Sequence, residues 1–259
     1  MVELGTIDRH SDRPPYQQIA SVLRDLIVAE KLEPGAKLPS EARLVEHYGV
    51  ARMTVRQALQ ELRGEGLVVS EHGRGVFVRP MPPVRRLASD RFARKHRSEG
   101  KAAFLAEADS VGYTPTVDRI EVSHGSAPDR VAELLRLDVG AEVVIRSRRY
   151  LANGRPVETA VSYIPAEFAA GTKIEQPDTG PGGLYARLEE AGHTLDTFSE
   201  EVTARMPVGD ERSALEIGPG IPVLTVLRTA YDTEGVPVEV CDTVKVAPAY
   251  VLQYDFPAR

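Results

Sequence analysis

The chain has 259 residues, 42% hydrophobic and 27% charged, with a net charge of −6 and one cysteine, Cys241. That length holds two domains of ordinary size, since single domains cluster near ~100–150 residues. A lone cysteine excludes a disulfide-built scaffold and fits a reducing compartment. No apolar run reaches the ~18 residues a membrane span needs, and the N-terminus carries charges and prolines where a signal peptide requires an apolar stretch. A cytoplasmic protein with no membrane partner is expected. Charge is unevenly spread: residues 1–80 hold 11 Lys/Arg and 11 Asp/Glu, residues 81–101 carry +5, and residues 102–259 carry −11. An acidic C-terminal body repels a polyanion and confines it to the N-terminal part.

Three helices and a hairpin are expected first. Pro14-Pro15 presets a helix start, and Tyr16, Ile19, Ala20, Leu23 and Ile27 recur with the spacing of an amphipathic stripe. The turn Glu33-Pro34-Gly35-Ala36 follows. Ser40 then stands at an N-cap position ahead of Leu44, Val45 and Tyr48, with Gly49 as the left-handed residue that closes the helix. A third helix turns Val55, Ala58, Leu59 and Leu62 inward and ends at Gly64 and Gly66. Leu67-Val68-Val69 and Val76-Phe77-Val78 flank His72-Gly73-Arg74-Gly75, the pattern of a hairpin.

Residues 80–90 read as a proline-marked linker leading into a basic stretch, Arg85 to Lys101. Three roles stay open for that stretch: a solvated linker, a second phosphate contact, or a docking surface. The remainder contains an internal repeat. LRLDVGAEVVIRSRRYLANGRPVE (135–158) parallels LEIGPGIPVLTVLRTAYDTEGVPVE (215–239), with Asn153-Gly154 and Glu234-Gly235 at the hairpin tips. Each half reads as helix, strand, short helix and hairpin, and the two halves are expected to share one antiparallel sheet with a concave site between them.

The outer face of the third helix offers Arg52, Met53, Thr54, Arg56, Gln57 and Gln60, side chains suited either to base edges and phosphates or to a plain solvated face. The order of pieces favours the first. Leu38-Pro39-Ser40-Glu41, Tyr48 through Leu59, Glu65-Gly66-Leu67-Val68 and Gly73 through Val78 resemble the GntR family of regulators over residues 12–79. The resemblance implies a winged helix-turn-helix that binds double-stranded operator DNA. The implied contact set is Ser40, Glu41, Arg43, Arg52, Met53, Thr54, Arg56 and Gln57, with His72, Gly73 and Arg74 at the wing tip. Two departures stand out. Arg43 is displaced by one residue from the family's Ser-Glu-Arg, a rotation of ~100° on a helix. Ala51 replaces a residue whose hydroxyl could cap the third helix. His72 has no second His or Cys at ligand spacing, so a metal is not expected there.

Residues 91–256 resemble the UTRA effector-binding domain of the HutC subfamily, through Gly112-Tyr113-Thr114-Pro115, Leu137 and Gly140, Arg146 and Arg148, Asn153 to Pro156, Tyr163-Ile164-Pro165, Leu184-Tyr185 and Pro237-Val238-Glu239. The implied fold class is α/β (α+β), with a chorismate-lyase-like antiparallel sheet built by duplication. Such a likeness confers no lyase chemistry. Arg146 and Arg148 alternate on one strand and so face one side. An anionic effector would satisfy them, and so would Glu158 and Glu239 at the repeated hairpin ends. The resemblance implies an effector set of Arg146, Arg148, Glu158, Tyr185, Glu239 and Lys245. Ala103-Phe104-Leu105, Gly183 and Lys245 depart from the sugar-phosphate-binding pattern. No nucleophile–histidine–acid set or phosphate loop is present, so an enzyme is not expected, nor any cofactor. A homodimeric repressor released by a small effector is the leading reading. A constitutive dimeric DNA-binding protein without an effector is the alternative, and a DNA-binding enzyme ranks third.

Overall fold

The computed structural model describes residues 3–71, 73–79, 84–87, 104, 112–218 and 220–255. The chain divides into two compact units, residues 1–82 with 218–221 and residues 83–217 with 222–259. In the first unit, α1 (Pro15–Val28), α2 (Glu41–Tyr48) and α3 (Arg52–Gly64) precede a hairpin of β1 (Val68–Glu71) and β2 (Gly75–Val78). Helix α1 starts on Pro15 and buries Ile19, Ala20, Leu23 and Leu26. The inward stripe thus runs through Leu26, and Ile27 is only half-buried, because steps of four and three residues from Ile19 keep one face. Leu44 and Tyr48 of α2 and Val55, Ala58, Leu59 and Leu62 of α3 complete the core, each large side chain contributing about 1.5–3 kcal/mol of burial.

The second unit is a six-stranded antiparallel sheet with strand order β4-β5-β6-β9-β8-β7. Its first half is β4 (Pro115–Ser126), α4 (Asp129–Leu135), β5 (Glu142–Ala152) and β6 (Arg155–Pro165). Its second half follows α5 (Ala166–Ala169), a 3-10 turn at Lys173–Glu175 and α6 (Gly183–Glu190). This half is β7 (Leu195–Arg205), α7 (Gly209–Leu215), β8 (Val223–Asp232) and β9 (Pro237–Val246). The strand order is the same read from either edge, as a duplication with a pseudo-twofold axis between β6 and β9 requires. Matching helix ends support it. Arg136 after α4 and Glu216 after α7 both adopt left-handed conformations, at φ 55° and 53°. Helix α4 packs on β9 and α7 on β6, so each half covers the other half's central strand. Asn153 and Gly154, at φ 51° and 75°, make the tight turn between β5 and β6.

Val84–Leu87, inside the span expected as linker, instead form strand β3, paired in parallel with β10 (Tyr250–Gln253). Val84 and Arg86, two residues apart, both point inward, and Arg86 pairs with Glu200. Arg86 therefore belongs to the sheet unit and is not part of a solvated run. Arg91 through Lys101, the rest of the basic stretch, lie outside the described residues. Among the described residues, no helix is long and apolar enough to cross a membrane.

Candidate nucleic-acid interface and effector site

Helix α2 is held at both ends by local chemistry. The Ser40 hydroxyl accepts from the Arg43 amide at 3.2 Å, and Gly49 closes the helix at φ 60°. The Arg9 guanidinium donates to the Tyr48 and Gly49 carbonyls, neutralising the negative end of α2 at the turn into α3. Ala51 takes the extended N-cap conformation of α3 but has no side chain to cap it. Arg52, Met53, Arg56, Gln57 and Gln60 form one exposed stripe along α3, with Thr54 half-buried beside them. Met53 is 70% exposed, an apolar side chain presented to the outside. Oε2 of Glu41 accepts from Nε of Arg52 at 3.0 Å and from Nε of Arg56 at 3.1 Å. Arg43 is exposed on α2. In the hairpin, Gly73 has φ 70° and Arg74 lies over the Phe77 ring at 5.5 Å, with Lys37 on the same ring at 5.8 Å. His72 lies outside the described residues. Lys37 was not among the expected contacts. Its backbone bridge to Phe77 adds it to the hairpin, a pairing that local sequence gives no sign of.

In the second unit, register aligns side chains from all six strands on one face. Val122, Arg146, Ser162, Cys241, Arg228 and Glu200 form one row, and Tyr150, Glu158 and Lys245 form another. Helices α5 and α6 and the 3-10 turn cover this face with Ile174, Leu188, Phe168 and Leu184. The expected residues separate into three groups. Glu239, fully buried, accepts from the Ser162 hydroxyl and the Tyr185 hydroxyl at 2.6 Å each and from Arg228 at 3.3 Å. Burial opposes its charge, but Arg228, Arg148 and the two hydroxyls hold its carboxyl below the usual range. Glu158 instead pairs with Lys245 and accepts from the Tyr250 hydroxyl at 2.8 Å. Arg146 turns to the covering loop and donates to the carbonyls of Ile174, Gln176 and Pro177.

Arg148 stands between these groups. It donates to the Tyr150 hydroxyl at 2.7 Å, the Ser162 hydroxyl at 2.9 Å, the Arg146 carbonyl at 3.2 Å and Cys241 Sγ at 3.8 Å. Among the described residues, neither Arg146 nor Arg148 is hydrogen-bonded to a carboxylate. Burial and the nearby Arg148 charge push the Arg146 pKa down. Phe104 stacks on Tyr150 at 4.6 Å, while Ala103 and Leu105 lie outside the described residues.

The family of bacterial regulatory proteins named gntR matches residues 15–78, and the UTRA domain matches residues 110–250. The chain belongs to the GntR family. Its pairing of a GntR helix-turn-helix with a UTRA domain is the architecture of the HutC subfamily. An HTH-type transcriptional regulator of Streptomyces coelicolor is 32% identical over 94% of this chain and 93% of its own length. The HTH-type transcriptional repressor NagR of Bacillus subtilis is 29% identical over 88% of this chain and 89% of its own. The crystal structure of a GntR-family regulator superposes with a TM-score of 0.60 at 30% identity, covering 96% of this chain and 99% of that one. PhnF of Mycobacterium smegmatis shares the fold, with a TM-score of 0.60 at 24% identity over 93% and 99% of the two chains. This GntR-family chain is thus a transcriptional regulator with a DNA-binding head and an effector domain, and it is not an enzyme.

Sequence reasoning missed Arg228, Ser162 and Tyr250. The duplication held a signal for the first: Arg148 pairs with Ala160 and Arg228 with Cys241, equivalent register positions in the two halves. Ser162 and Tyr250 reach the site through contacts spanning 77 and 92 residues, which no local pattern announces.

Proposed function

We propose that this regulator is a repressor that binds a two-half-site operator as a homodimer through α3 and the β1–β2 wing, and that a small anionic effector bound on the covered sheet face releases it. One observation carries the effector reading. Two adjacent inward guanidinium groups, Arg146 and Arg148, have only neutral oxygens and a thiol as hydrogen-bond partners. The carboxylate that attracts them, Glu239, is already bonded by Ser162, Tyr185 and Arg228, so several guanidinium groups share one anion, and their planar forks match an added carboxylate or phosphate. The name of NagR supports repression. Paired heads on a palindrome supply the specificity that one three-helix head lacks, with half-sites one helical turn apart, ~34–36 Å.

The Glu239 cluster is satisfied from within, which favours a second reading: a constitutive dimeric binder without an effector. Footprinting on the protein's own upstream region, repeated with phosphorylated sugars, dicarboxylates and neutral sugars, decides between them. Release by an anion, lost in Arg148→Ala while that variant still binds DNA, is the expected result. A footprint that no anion moves overturns the effector reading.

A further inference from the structure

Glu41 sits in the first turn of α2, beside the capping Ser40, and its side chain is 25% exposed. Arg52 and Arg56 stand one turn apart on α3, so a single oxygen reaches both. Their side chains remain 68% and 52% exposed. Among the described residues, neither arginine has a hydrogen bond or ion pair other than this one. Both bonds use Nε, the inner nitrogen of the guanidinium. A group held there loses rotational freedom while both its Nη groups keep no other partner among the described residues. That end-on fork matches O6 and N7 of guanine. A freely rotating guanidinium also turns onto phosphate oxygens, and such contacts carry no sequence information.

We propose that Glu41 is a positioning residue for operator discrimination: it touches no base, but by holding Arg52 and Arg56 through Nε it aims their forks at base edges and withholds them from phosphates. The inference rests on α3 being the groove-entering helix. The carboxylate also repels the DNA backbone. It therefore lowers affinity for any duplex while raising preference for the right one. Partial burial opposes ionisation of Glu41, yet the bonds from the two arginines hold its carboxyl below the usual range, so the clamp is charged at neutral pH.

Anisotropy titrations of the full chain measure this on the footprinted duplex and on a scrambled duplex of equal composition, over a salt series. In Glu41→Ala, affinity for the scrambled duplex rises several-fold and its salt dependence steepens by about one to two released counterions. Operator preference falls by about ten-fold or more, the worth of one or two bidentate base contacts. Glu41→Gln keeps an acceptor at the same reach without the charge. It restores most of the preference while keeping the raised affinity for the scrambled duplex. A merely structural role would instead lower both affinities together, along with the melting temperature, and would overturn the proposal. An unchanged operator-to-scrambled ratio in Glu41→Ala, with that ratio lost in an Arg52→Ala/Arg56→Ala variant, overturns the positioning role alone. An unchanged ratio in the double arginine variant overturns the reading of α3, and this inference with it.

Discussion

Glu239→Gln removes one charge from the middle of the sheet without changing the size of the side chain. In the parent the carboxylate is fully buried and accepts from Ser162, Tyr185 and Arg228, with Arg148 adding attraction. Glutamine offers one carbonyl oxygen. Its amide nitrogen meets hydroxyls that must turn round, or a guanidinium that cannot accept. Breaking a buried ion pair from one side costs about 3–5 kcal/mol, and reorienting hydroxyls recover part of that, so a loss of roughly 2–4 kcal/mol is expected. At about 2–4 °C per kcal/mol for a unit of this size, the melting transition drops by roughly 5–15 °C. Scanning calorimetry of the full chain reads the shift. Anisotropy well below the transition confirms that the variant is compared in its folded, DNA-binding form. A transition within about 2 °C of the parent's would mean that the buried charge contributes nothing net, and the reasoning from its hydrogen bonds would fail.

Acid titration provides a related check. The Glu239 pKa is depressed in the fold, so its stabilisation is fully present above the unfolded value and is lost as pH falls through the folded one. The parent should therefore lose melting temperature below about pH 4.3 more steeply than Glu239→Gln, and equal slopes would contradict the assignment. The cap positions predict opposite signs: Ser40→Ala destabilises by about 1 kcal/mol, whereas Ala51→Ser supplies the acceptor α3 lacks and stabilises by about 0.5–1 kcal/mol in urea unfolding. The Tyr48 hydroxyl is buried with no hydrogen-bond partner among the described residues, and burial pushes its pKa up to about 12. Tyr48→Phe is accordingly neutral or stabilising by up to about 1 kcal/mol, and a clear loss in chemical denaturation would reveal a partner for it. Arg146→Ala frees the carbonyls of Ile174, Gln176 and Pro177, so limited proteolysis should cut near 174–182 faster than in the parent, and an unchanged rate would show the loop to be held by other contacts.

Much of this protein was legible without coordinates. Caps at Ser40 and Gly49, the inward stripe of α3 and the Asn153-Gly154 turn are set by neighbours within about four residues, the range over which side chains act on their own backbone. The repeat between 135–158 and 215–239 likewise announced two equivalent halves of one sheet. Residue type and spacing also placed Arg146 and Arg148 on the same face. What they did there was not legible. Arg146 holds a loop some 30 residues downstream. Glu239 and not Glu158 joins Arg148 and Arg228, and Glu158 takes Lys245 as its partner. These pairings follow from the β6–β9 register, which sets Glu158 opposite Lys245 and Ser162 opposite Cys241 across about 80 residues of chain. Charge and size were written at each position, but partnership depends on which distant strand arrives alongside, and only closure of the whole sheet decides that.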